Sequence, residues 1–76
     1  MERKELIKQF IIKEIYHYCD NEMIDWWEVV DSWRFDKIIM EADSSFVFTQ
    51  EEHLFIADWY AKLENVIEAI KDIENV

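Results

Sequence analysis

Residues 49–73, TQEEHLFIADWYAKLENVIEAIKDI, carry the pattern from which the fold is read. Thr49 with Glu52 three positions on forms a capping-box signature. The Thr hydroxyl accepts from the Glu52 amide, and the Glu carboxylate reaches back to the Thr amide. Beyond it Ile56, Trp59, Leu63, Val66, Ile70 and Ile73 recur at alternating spacings of three and four, with Tyr60 and Ile67 widening the stripe. That period predicts one long amphipathic helix whose seam is buried against other helices. At 1.5 Å per residue, about 25 residues extend about 37 Å. The opposite face carries Glu51, Asp58, Glu64, Glu68 and Asp72, while Leu54, Ala57 and Ala61 lie beside those acids as a second possible contact surface.

The rest of the chain reads as shorter helices. Over residues 2–19, Ile7, Ile11, Ile15 and Tyr18 form one row and Ile12, Tyr16 and Cys19 a second, with Leu6 and Phe10 on another side. A helix apolar over more than half its circumference is expected at the centre of an assembly. Asp20 or Asn21 suits its end. Over residues 22–34, Met23, Trp26, Trp27, Val30 and Trp33 fall within an arc of about 120° on a helical wheel, which predicts a helix that ends or bends near Ser32–Asp36 and turns its tryptophans into the core. The alternative is that one of them projects from the rim as an interface anchor. Glu22, Asp25, Glu28 and Asp31 lie outside that arc. Residues 36–48 suit a short helix, Lys37–Ala42, capped by Asp36 and followed by an extended Ser45–Phe48. The alternative is a hairpin over about 33–49, which would make the fold α+β.

Composition favours the helical reading. The chain has no Gly, hence no residue that adopts positive φ without cost, and no Pro to break a helix. Its 76 residues suit one domain, 1–76, with a small core enlarged by twelve aromatic residues. The expected fold is therefore all-α: a compact single domain of three to four helices with a long C-terminal helix. In it the last helix and the Trp-rich second helix sandwich the first.

Charge bounds the function. The net charge is −10 in a chain that is 51% hydrophobic, so folded-core content coexists with a polyanion. Residues 1–19 sum to +1, whereas residues 20–76 hold fifteen acids against Arg34, Lys37, Lys62 and Lys71. That distribution excludes direct, electrostatically driven binding to nucleic acid and points to a basic protein surface. Glu64, Glu68 and Asp72 would stand about 6 Å apart along a helix, on the scale of phosphate spacing. With Asp58 and Glu51 they form one candidate anionic ridge, and Asp25, Glu28 and Asp31 form a second. A solvated outer face would look similar. However, like charges at i, i+4 destabilise a helix, and few lysines relieve them here.

The expected function is a small acidic inhibitor or decoy. It would occlude the basic surface of a nuclease or other nucleic-acid-binding protein, in the manner of phage anti-defence (anti-CRISPR-like) factors, antitoxins or immunity proteins. The alternative is a homo-oligomeric helical adaptor whose acidity serves solubility. A monomer or small homodimer is expected. No Gly-rich phosphate loop, G-x-S-x-G or H-E-x-x-H motif is present, so no enzyme activity is expected. His17 and Cys19 lie about 200° apart on a helix and cannot share an ion, so no metal or cofactor is expected either. A lone cysteine and the lack of any long apolar run suggest an intracellular, cytoplasmic protein without a membrane span.

Overall fold

A computed structural model describes residues 2–62 together with Glu68, Lys71 and Asp72. Within residues 2–62 four helices follow one another: α1 (Arg3–Glu22), α2 (Trp26–Val30), α3 (Trp33–Phe46) and α4 (Gln50–Ala61). No strand occurs among the described residues, so the fold is all-α and the hairpin over 33–49 does not form.

The first helix supplies the centre. Ile7, Ile11, Ile12 and Ile15 are all buried, so its apolar rows do what their spacing predicts. Burying each such side chain contributes roughly 1.5–3 kcal/mol. Around them close Val29 and Val30 of α2, Phe35, Ile38 and Ala42 of α3, Phe48, and Ile56 and Trp59 of α4. Among the described residues the layers nearest α1 are α2 and α3, where the second and last helices were expected.

Several boundaries differ from the sequence reading. α1 runs a further turn, to Glu22, and ends where Met23 adopts φ 54°. Met23 is therefore 90% exposed rather than in the core. The segment read as one helix over 22–34 divides. Its first piece, Trp26–Val30, buries Val29 and Val30. Ser32 then caps a new helix, its hydroxyl accepting from Arg34 N at 3.3 Å. This makes Trp33 the first residue of α3, carried away from the face that Val30 buries.

α3 is longer than the expected Lys37–Ala42, because Phe35, Ile38 and Ala42 continue one buried row and Phe46 meets Phe10 edge-on at 5.9 Å. That packing carries the helix through Ser44 and Ser45 despite their weak propensity. It ends at Val47, which also takes φ 54°. Asp43 holds this end together. Its carbonyl accepts from Val47 N at 2.7 Å and its carboxylate from Phe48 N at 2.9 Å.

The Thr49 capping box forms as read, with Glu52 N donating to Thr49 Oγ1 at 3.1 Å and Thr49 N to Glu52 Oε1 at 2.9 Å. α4 spans Gln50–Ala61, and of the rest of the expected long helix only Glu68, Lys71 and Asp72 are described, all three helical. Lys62 leaves helical geometry at φ −97°, ψ 76°, and nothing in the local sequence accounts for the break. Of the seam, Ile56 and Trp59 are buried, whereas Leu63, Val66, Ile70 and Ile73 lie outside the described residues.

Candidate protein-binding surface

The last turn of α1 and the short α2 bring carboxylates together. Asp25 occupies the N-cap of α2 but makes no side-chain cap bond. Its carbonyl takes the Glu28 and Val29 amides at 3.0 and 3.4 Å, which leaves the carboxylate in solvent. Glu28 lies one turn on, and Asp31 closes the helix; both are exposed. Asp31 thus stands at the negative end of a helix dipole, where an acid is unfavourable. The last turn of α1 likewise has no basic residue.

Cys19 shows how closely these acids gather. Its thiol is pushed above its ordinary range first by burial and then by the charges of Asp20, Asp25 and Glu28. Three carboxylates from α1 and α2 therefore act on one point. The opposing cation is Arg34, which donates to Glu22 through Nε and Nη2, both at 2.8 Å. That bond holds the Glu22 carboxyl below its usual range, and Arg34 also lies over the Trp33 ring at 5.0 Å. Between α1 and α3 a neighbouring cleft of about 350 Å³ continues the same character, with Glu14, Glu22 and Glu41 in its walls.

The other acids singled out from sequence are placed differently. Glu51 pairs with Lys4 at 2.9 Å and Asp58 with Lys62 at 3.6 Å. Glu68 and Asp72 are exposed helical positions, while Glu64 lies outside the described residues, so the described residues do not assemble the 64–68–72 ridge. Asp25, Glu28 and Asp31 make no ion pair among the described residues.

Two tryptophans expected in the core are exposed, Trp27 by 45% and Trp33 by 61%, while Trp26 is half-buried and meets Trp27 edge-on. The adjacent Asp31-Ser32 was the available signal, since it ends one helix and caps the next. A second apolar feature had no sequence signal. Between α3 and α4 an open groove of about 400 Å³ is floored by Phe35, Phe48 and Ile56 and walled by Ile39, Met40, Ala57 and Tyr60. Tyr60 stacks on Phe35 at 4.5 Å and donates its hydroxyl to the Val30 carbonyl at 3.1 Å, which fixes one wall.

Among the described residues no three His, Cys, Asp or Glu side chains are placed to hold a metal, and no helix is long and apolar enough to cross a membrane. Comparison with family models, curated proteins and solved structures finds no significant match to this chain.

Proposed function

We propose that the protein is a small acidic binding module that occupies the basic, nucleic-acid-binding surface of a partner protein and blocks it. What supports the reading is the run of exposed carboxylates from the last turn of α1 through α2, Asp20, Asp25, Glu28 and Asp31, which make no ion pair among the described residues, while the nearby cation Arg34 is engaged by Glu22. Asp20 in the last turn of α1 and Asp31 at the C-cap of α2 stand against their helix dipoles and contribute nothing to the fold, whereas Asp25 and Glu28 suit the start of α2 but lie close to them. A partner presenting Lys and Arg side chains would relieve them. Association would be steered by the field of the whole chain, and exposed Trp27 and Trp33 would act as aromatic anchors that lengthen residence.

The reading extends to an inhibitor of the anti-defence, antitoxin or immunity type, in which the module competes with nucleic acid for one site. The test begins with affinity capture from a lysate of the source organism. Binding to the captured protein is then measured from about 50 to 200 mM salt, where contacts that replace phosphates should weaken steeply. Duplex DNA or RNA should compete. Reversing Asp25, Glu28 and Asp31 to Lys should abolish binding while leaving the helical spectrum intact. Reversing Glu64, Glu68 and Asp72 tests the other ridge. Affinity that is flat in salt, or both triple variants binding as the parent does, would show that the acids do not make the contact. The homo-oligomeric adaptor would then be favoured if the chain also sediments as a large ring or filament.

A further inference from the structure

We infer that the groove between α3 and α4 is the seat for an amphipathic helical segment of the partner, whose apolar side chains lie between Met40 and Ala57 and whose flanking Lys or Arg meets Asp36. The inference rests on the proposed basic partner and says where that partner's apolar contacts go.

Three observations carry it. Met40 is 72% exposed and Leu54, beside Ala57 on α4, is 65% exposed, so the groove continues onto apolar helix faces. Ala57 is a small residue on an exposed helix, which lets a third helix approach closely between the walls. An apolar cleft between two helices is the form in which helical ligands anchor side chains at i and i+3 or i+4. The charge of the lining then selects the occupant. Asp36, the imidazole of His53 and the phenol of Tyr60 are its titratable groups, with the Asp43 carboxylate 3.8 Å from His53. Among the described residues no Lys or Arg lines it. A second copy of the chain would itself carry a net charge of −10, so a cationic partner is the complementary one.

Three synthetic helical peptides of equal length test this. One places Leu on one face and Lys on the other. The second replaces its Lys by Glu, and the third keeps the Lys and replaces Leu by Ser. The Leu–Lys peptide should bind tightest, and its amide shift changes should centre on Ile39, Met40, Ala57 and Tyr60. A Met40→Gln, Ala57→Gln double variant leaves the net charge unchanged. It should weaken that peptide at least about tenfold, the change expected when one or two large apolar contacts are lost. It should leave the Ser–Lys peptide unaffected.

Equal binding of the Leu–Lys and Ser–Lys peptides would overturn the groove while leaving the acidic-surface reading standing. Equal binding of the Leu–Glu peptide would overturn the choice of a cationic occupant. Shift changes confined to α1 and α2, no binding by any peptide, or a concentration-dependent dimer that protects Ala57 would each overturn the inference too. The acidic-surface reading fails separately, if Ser–Lys binding is insensitive to salt and to the Asp25, Glu28 and Asp31 reversals.

Discussion

At the scale of single residues, Val47 does what a glycine would ordinarily do. A β-branched side chain at φ 54° is held against its own sterics, and Val47 is 76% exposed, so no burial compensates. Left-handed geometry costs a non-glycine residue about 1–2 kcal/mol, part of which glycine gives back through its freer unfolded chain. Val47→Gly should therefore raise stability by roughly 0.5–1 kcal/mol. Urea denaturation checks this, and a loss would mean that the side chain makes contacts that matter. Glu52 is the other telling residue. Arg3 donates to both of its oxygens, at 2.8 and 3.0 Å, and Thr49 N adds a third bond. The Arg3 hydrogen bond, followed by the Thr49 bonds and the Arg3 charge, holds the carboxyl at about 2, below its ordinary 4.5. A carboxyl depressed in the folded state stabilises the fold above its unfolded value, and that contribution is lost as pH falls toward 2. Glu52→Gln should therefore be less stable than the parent at neutral pH. The gap between them should close during an acid titration from pH 4.5 to about 2. A gap that stays constant would mean that the side chain's shape, not its charge, supports α4.

At the scale of elements, what could be read from sequence was whatever depended on spacing alone. The isoleucine rows of α1 are buried as their period requires, and the Thr49–Glu52 box forms because both partners lie within one turn. Truncating the centre of that packing, Ile11→Ala, should cost about 2–5 kcal/mol in a denaturant titration. A near-zero cost would mean that the site collapses around the gap. The region from 22 to 34 was misread for a physical reason. A helical wheel assumes one axis, and two helices with different axes separated at Asp31-Ser32 project onto it as a single convincing arc. Trp33 fell within that arc and yet faces solvent on the second axis, while Trp27, on the same helix as Val30, is exposed at the edge of its buried face. The absence of glycine misled in the same way. It disfavours left-handed helix ends, yet Met23 and Val47 adopt them. Of the candidate surface, the excess of acid in residues 20–76 was legible. Its focus on Cys19 was not, because it needs α2 to fold back beside α1. The α3–α4 groove depends on how two helices diverge, which no spacing encodes.

At the scale of the whole molecule, repulsion within a chain of net charge −10 opposes the pairs Arg3–Glu52, Lys4–Glu51 and Arg34–Glu22. Lys4–Glu51 and Arg34–Glu22 are surface pairs, and of the three only Arg3–Glu52 has a buried carboxylate. Surface pairs contribute roughly 0–1 kcal/mol each, so repulsion should dominate. Salt shortens the Debye length from about 30 Å at 0.01 M to about 3 Å at 1 M. The Tm should rise over that range, and a fall on scanning calorimetry would mean that the three pairs outweigh the self-repulsion. The pairing of Arg3 with Glu52 also has a consequence in time. The α1–α2 and α2–α3 contacts join neighbours in the chain, whereas this bond closes 49 residues. Local helix packing is the rapid part of folding, and a long loop is closed only after its entropy has been offset by other contacts. The clasp should therefore be absent from the transition state. Arg3→Gln should leave the refolding rate unchanged and speed unfolding by the whole of its destabilisation. Stopped-flow measurements with both limbs shifted would instead place the clasp in the folding nucleus. On this account, one guanidinium near the start of the chain governs how long the native state lasts, not how quickly it is reached.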